Sequence, residues 1–348
     1  MTQDAGQPAT LRTIAQSAGV DVSTVSRVLN GPPEEAQRAA SPTTAEEIRR
    51  WAVQLNYRPN PHATSLRTRR SNLIGVLVPR LSDIVLATVY EGIEDAAARH
   101  GLATFVMNSY DRPAEQRERT EMALSRRVDG LIFGDARADG AYLDEIAAQR
   151  VPFVLVSRHV GEHPAVTCDD REGGRLVAEH LLELGHRRVA VIAGEPYAST
   201  GIDRTAGFVD RYRKAGIEIP ASRIVQSRFD APGGRHAAER LLRRRPRPTA
   251  IYAVNDFAAI GALGALRDQG LRPGTDIAVV GYNDTPLAAE LPIPLTSVRS
   301  PMRSMGAQGL ELLVQILAGK PATSHRLRPE LIVRASTMGE TALPYKLV

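Results

Sequence analysis

The chain has 348 residues, 43% hydrophobic and 24% charged, with 44 Lys+Arg against 39 Asp+Glu for a net charge of +5. That length exceeds one ordinary core and predicts two or three domains; the mild basic excess is compatible with a nucleic-acid partner without requiring one. A single cysteine, Cys168, excludes an intramolecular disulfide framework. No apolar run reaches the span of a membrane, and the polar opening MTQDAGQPAT has no signal-peptide character. A cytoplasmic protein with no membrane partner is expected.

The stretch LRTIAQSAGVDVSTVSRVLNG, residues 11–31, holds two short helical patterns joined by Ala-Gly-Val. Leu11, Ile14 and Ala15 share one face of the first, and Gly19 breaks it. Asp21 suits the N-cap of the second, where Val22, Val25, Val28 and Leu29 form an apolar stripe. Ser23, Ser26 and Arg27 lie on other faces, with Thr24 near the edge. Two helices joined through a glycine turn make a helix-turn-helix unit, and the narrow second helix fits a major groove roughly 12 Å wide. A plain helical hairpin in a core is the alternative. SPTTAEEIRRWAVQLNY then predicts a third helix, with Ser41 as cap, Pro42 in the first turn, and Ile48, Trp51, Ala52 and Leu55 on one face.

Residues 58–72, RPNPHATSLRTRRSN, combine a cap (Asn60), a helix-opening Pro61 and the basic Arg67, Arg69 and Arg70. A helix of about seven residues is marginal alone and forms only against a surface. Leu66 is then an exposed apolar side chain suited to wedging between base steps in the minor groove. The alternative is a flexible basic linker.

From Leu73 onward, short apolar runs (LIGVLV, ATFVMN, GLIFG, FVLVS) alternate with helical patterns, and a second such series follows residue 168 (RVAVIAG, AIYAV, IAVVGY). This alternation predicts parallel sheets with helices on both faces, in two lobes. Several helical patterns end in glycine, at Gly101, Gly185, Gly216 and Gly270. Enzyme signatures are missing: no dinucleotide fingerprint, Walker loop, nucleophile elbow or zinc-protease motif occurs. His159 and His163 sit in a stretch broken by Gly161 and Pro164, and Cys168 reads as a small buried residue. No enzyme activity, cofactor or metal is expected.

TIAQSAGVDVSTVSRVLNG, LNYRPNPHATSLRTRRSNLIGVLVP, AVNDFAAIGALGALRDQG and IAVVGYNDTPLA, in this order, resemble the lac repressor (LacI/GalR) family of bacterial transcription regulators. The resemblance covers about residues 10–340. It implies an all-α helix-turn-helix headpiece (10–57), a hinge with a short DNA-induced helix (58–72), and a two-lobed periplasmic-binding-protein-like α/β domain with parallel sheets (73–348). Crossings between lobes are expected near 166–169, 293–298 and 323–328. The implied function is a homodimeric, sequence-specific repressor on a pseudo-palindromic double-stranded operator, controlled by a small-molecule effector such as a sugar or sugar derivative.

Val22 and Ser23 are then expected to set operator sequence, and Ser26 and Arg27 to reach bases or phosphate. The resemblance adds Thr10, Thr24, Asn30, Tyr57, Asn60, His62 and Ala63 as DNA contacts, with Leu66 as the wedge. Effector contacts fall by motif position on Arg204, Asn255 and Asn283, and on Ser157, where the family often has an aspartate. Asn255 and Asp256 could equally cap a helix. Val85 and Leu86 replace aromatic residues of the family, as does Met302. The pocket is therefore expected to be more apolar and less acidic, easing entry of an anionic ligand. The segment PPEEAQRAASP reads as a surface loop about five to seven residues longer than usual, which costs little. Its Glu34 and Glu35 are expected to point away from DNA.

Overall fold

The computed structural model describes residues 9–57 and 70–338. The chain divides into two compact units at Asn72/Leu73. Asn60, His62, Ala63, Leu66 and the expected short helix lie outside the described residues.

The first unit contains α1 (Leu11–Ala18), α2 (Val22–Asn30), α3 (Pro33–Ala39) and α4 (Pro42–Gln54). Thr10 caps α1 reciprocally: its hydroxyl accepts the Thr13 N–H at 3.2 Å, and the Thr13 hydroxyl accepts the Thr10 N–H at 3.0 Å. Gly19, at φ 65°, takes the left-handed conformation that ends α1. Asp21 caps α2 by accepting the Ser23 N–H at 2.7 Å. Ile14, Val25, Val28 and Ile48 form the buried core, with Trp51, Ala52, Leu55 and Tyr57 packed against it. Ser41 caps α4, with Pro42 in its first turn. The expected surface loop is instead helix α3. Pro33 opens it, Glu34 and Glu35 occupy the first turn where the helix dipole favours acids, and Ala36 is buried where α3 packs on α2.

The second unit has two six-stranded sheets. One is built from β1 (Leu73–Val78), β2 (Ala103–Asn108), β3 (Gly130–Phe133), β4 (Phe153–Val156), β5 (Ala165–Cys168) and β11 (His325–Leu327). Its order is β2-β1-β3-β4-β5-β11, parallel throughout. The other uses β6 (Val189–Ala193), β7 (Ile224–Gln226), β8 (Ala250–Ala253), β9 (Ala278–Asn283), β10 (Thr296–Arg299) and β12 (Glu330–Ile332). It runs β7-β6-β8-β9-β10-β12, with only β12 antiparallel.

Helices cover both faces of each sheet, so the strands read as continuous apolar runs. On the first sheet, α5 (Ile84–Arg99) and α13 (Met302–Leu317) pack on Ile74, Val76 and Val78, while α6 (Pro113–Ser125) and α7 (Ala141–Ala148) cover Leu77, Leu131 and Phe133. On the second, α8 (Asp170–Glu183) and α9 (Ser199–Lys214) pack on Val191, Tyr252 and Tyr282. The other face takes α10 (Ala231–Leu242) and α11 (Asp256–Asp268), over Ile192 and Ile251. The short α12 (Pro286–Glu290) and α14 (Ala335–Met338) finish this lobe.

The chain leaves the first lobe after Cys168 and re-enters it after Arg299. It leaves again after Leu327 to form β12. The middle crossing is therefore at Ser300–Pro301, later than the 293–298 expected. Residues 296–299 belong wholly to the second sheet, where Ser297 Oγ donates to Asp256 at 2.6 Å and the Thr296 N–H donates to Ser336 Oγ at 2.8 Å.

Candidate functional site

On the headpiece, α2 turns Val25 and Val28 inward and leaves Ser23 and Arg27 exposed, with Thr24, Ser26 and Asn30 half-buried. Val22 does not join the apolar stripe. As the first residue of α2 it precedes the core, and it is 38% exposed. Arg27 is the one basic residue of α2, and its Nε lies 3.8 Å from Glu35 Oε1 on α3. Thr10 is exposed but engaged as a cap; Tyr57 is half-buried against the headpiece core.

In the second unit, a cavity of about 460 Å³ lies at the carboxyl ends of the strands of both sheets. Doubly wound sheets place ligands at this end because strand order reverses there and the loops part. Residues after β1, β2 and β4 line it from one lobe; residues after β6, β7, β8 and at the end of β9 line it from the other.

Arg204 reaches the cavity from α9 and is fixed on three sides. Its Nε donates to Asp170 Oδ1 at 2.8 Å, its Nη1 donates to the Val254 carbonyl at 2.8 Å, and its guanidinium carbon lies 3.7 Å from the Tyr282 ring centre. Asp170 opens α8, so this geometry depends on how closely α8 and α9 approach. Gly174 and Gly207 allow it: a Cβ at either would sit 2.1 or 2.0 Å from a carbonyl oxygen of the other helix.

Asn283 is buried, holds φ at 103°, and its Oδ1 has no hydrogen-bond partner among the described residues. A buried polar atom without a partner, on a strained backbone lining a cavity, marks a position shaped for binding. Asn255 also lines the cavity, but its amide is engaged: Oδ1 accepts the Ala258 N–H at 2.9 Å and Nδ2 donates to the Phe229 carbonyl at 3.0 Å. Its cap role is therefore the one the structure carries. Ser157, at φ 66°, and Val85 and Leu86 on α5 line the cavity as well. Met302 does not; it is buried in the core of the first lobe.

The lining also contains residues that motif comparison passed over, and they correct the expected chemistry. Asp83, Asp111, Glu195 and Asp230 line the cavity together with Arg80, Arg158, Arg204 and Arg228. Tyr110, Tyr197, Phe229 and Phe257 supply rings where Val85 and Leu86 do not. The cavity is neither depleted of acids nor without stacking surfaces. Apart from Arg204, these residues come from the stretches that follow the apolar runs (PRLSD, NSYD, SR, GEPY, SRFD, NDF), and that position was their only signal in the sequence. Arg158 pairs bidentately with Asp111 at 2.6 and 3.0 Å. Burial raises the Asp83 carboxyl above its usual range despite the Val85 N–H bond and two nearby arginines. Burial and the Asp111 charge raise Glu195.

Tyr197 and His159 tie the lobes beside the cavity. The Tyr197 carbonyl accepts the Ala138 N–H at 2.8 Å, its hydroxyl donates to Asp111 at 3.4 Å, and Arg137 stacks 4.2 Å from its ring centre. His159 donates its backbone N–H to Ser199 Oγ at 2.9 Å and pairs with Asp203 at 2.7 Å. Cys168 is buried and its thiol is pushed up to about 11, which leaves little thiolate for chemistry. Among the described residues no group of His, Cys, Asp and Glu is placed to hold a metal, and no helix is long and apolar enough to cross a membrane.

Comparison with known proteins agrees with both units. A family described as "Bacterial regulatory proteins, lacI family" matches residues 10–60, and a "Periplasmic binding protein-like domain" matches residues 178–337. The HTH-type transcriptional regulator DegA of Bacillus subtilis is 32% identical over 335 residues, 94% of this chain and 98% of that protein. The HTH-type transcriptional regulator GalS of Salmonella typhimurium is 32% identical over 331 residues, covering 94% and 96%. Among solved structures, the lac repressor dimer bound to operator and the anti-inducer ONPF superposes with a TM-score of 0.86 at 29% identity, over 95% of this chain and 100% of that one. These relatives are regulators rather than enzymes. A helix-turn-helix headpiece followed by a two-lobed, parallel-sheet domain, matched along nearly the whole chain, places this protein in the lacI family of bacterial regulatory proteins, the DNA-binding regulators of transcription.

Proposed function

We propose that this protein is a homodimeric repressor whose affinity for a pseudo-palindromic operator is set by a small-molecule effector held between the lobes of its second unit. The effector reading is carried by one observation: a cavity of about 460 Å³, within the size range of small-molecule sites, lined from both lobes by Arg204, Asn283 and Ser157. An arginine fork and an amide suit bidentate contact with vicinal hydroxyls or a carboxylate, so a sugar or sugar derivative fits. The acids and arginines of the lining come in pairs such as Asp111 with Arg158, which suits a polyhydroxylated ligand with or without a charged group.

A single recognition helix reads few base pairs, so two copies related by a two-fold axis are needed for a specific site. Val22 would meet a thymine methyl, Ser23 and Ser26 would hydrogen-bond at base edges, and Arg27 would reach a guanine or a phosphate. Thr10, Thr24, Asn30 and Tyr57 would add backbone contacts. In the segment 58–72, Asn60, His62 and Ala63 would add further DNA contacts, with Leu66 wedged in the minor groove. Effector bound by both lobes favours one lobe arrangement and so shifts operator affinity by its differential affinity for the two states.

The test is selection of bound duplexes from a random pool by the full-length protein, followed by a metabolite screen against the selected complex. A symmetric consensus and one metabolite class that changes its affinity are expected. An absence of sequence preference at modest ionic strength, with or without metabolites, overturns the reading. Arg27→Ala should abolish the preference while leaving effector binding intact.

A further inference from the structure

The segment from Gly31 to Ala39 places an acidic helix directly beside the recognition helix. Gly31 ends α2 in an extended conformation, and a Cβ there would lie 2.5 Å from the Arg27 carbonyl oxygen, so the chain leaves α2 pressed against its last turn. Pro32 and Pro33 stiffen the link by fixing φ. The buried Ala36 anchors α3. Glu35, one residue earlier, is thereby held on a short, braced helix with Oε1 3.8 Å from Arg27 Nε. Arg27 is the only cation α2 can offer to DNA, and both side chains are about half exposed, 55% and 44%.

We propose that Glu35 is a positioning residue for DNA readout, engaging Arg27 from its Nε side so that the two Nη groups face a base edge and a phosphate contact is disfavoured. The inference rests on the DNA-binding reading above. A guanidinium carries five N–H donors in a planar fork, so a carboxylate at Nε leaves the Nη groups free for guanine O6 and N7. Non-specific binding is made almost wholly of phosphate contacts. If Arg27 moved to a phosphate, Glu35 would stand next to that anion. The braced carboxylate therefore weakens binding to any DNA more than it weakens binding to a site that offers Arg27 a guanine.

The experiment measures dissociation constants of the full-length protein for the selected operator and for a scrambled duplex across a range of salt. Wild type is compared with Glu35→Gln and with Glu34→Gln, which changes net charge equally one residue away. Glu35→Gln should lower the operator-to-scrambled affinity ratio on the order of twofold to fivefold more than Glu34→Gln, the scale of an exposed ion pair. The scrambled-duplex salt slope should steepen by up to about 0.9, one phosphate's worth. In an Arg27→Ala background the two Gln variants should behave alike. Equal effects of Glu34→Gln and Glu35→Gln in the wild-type background, or an unmoved ratio, overturn the role of Glu35. A wild-type protein without any preference among duplexes overturns the DNA-binding reading itself.

Discussion

Arg204 and Asp170 form a buried ion pair, Nε to Oδ1 at 2.8 Å, between two helices that touch through glycine. Only the second helix's arginine faces the cavity; the acid serves to hold it. Arg204→Met should leave Asp170 buried without its partner and cost roughly 3–5 kcal/mol. Urea unfolding should show that loss, and an accompanying Asp170→Leu should recover much of it. Calorimetry should show that neither variant binds effector, since the guanidinium is gone from both. An effector isotherm unchanged by Arg204→Met would remove Arg204 from the site.

Asn283 combines a strained φ of 103° with an amide oxygen that has no hydrogen-bond partner among the described residues. Glycine adopts this conformation freely, so Asn283→Gly should hold or raise the melting temperature by releasing about 1–3 kcal/mol of strain. The same change should weaken effector binding about tenfold by deleting a polar contact. A variant that loses stability and keeps effector affinity would show that the side chain serves the fold instead.

Gly207→Ala should separate α8 from α9, because the new methyl would meet the Arg171 carbonyl, a backbone atom that cannot swing away. Overpacking of this kind costs about 1–3 kcal/mol. The larger consequence is displacement of Arg204 from Asp170, so effector affinity should fall although residue 207 lines no part of the cavity. Denaturation and calorimetry on the one variant check both effects.

Asp256 gives the second unit a pH dependence. Burial pushes its carboxyl up from 3.8 to about 6, only partly offset by the Ser297 hydroxyl and by the N–H and hydroxyl of Thr285. A raised folded value means that the folded chain binds this proton more tightly than the unfolded chain. The stability so contributed is present in full below pH 3.8 and is lost as pH rises to about 6. Asp256→Asn cannot titrate, so its stability relative to wild type should rise by about 2 kcal/mol between pH 4 and pH 6.5. Unfolding followed by circular dichroism at the two pH values tests this; a constant difference would place the carboxyl near its ordinary range.

Periodicity, caps and glycine stops were enough to lay out the α/β alternation, the glycine turn between α1 and α2, and the Asp21 and Ser41 caps, because each depends on residues within a turn or two of one another. The polar residues at Ser157 and Asn283 were legible for a related reason: they follow apolar runs, and ligands in such sheets gather at carboxyl ends, whereas Arg204, inside α9, was legible only from the resemblance. Helix α3 was not legible, since a helix of seven residues is marginal by its own propensity and forms through packing on its neighbours, chiefly α2. Nor was the engagement of Asn255 with Phe229, the retreat of Met302 into the first lobe's core, or the cluster of Asp83, Asp111, Glu195 and Tyr197 around the cavity. The first two depend on which segments distant in sequence meet within one lobe, and the third on which loops of the two sheets face one another; local chain chemistry carries no measure of either distance.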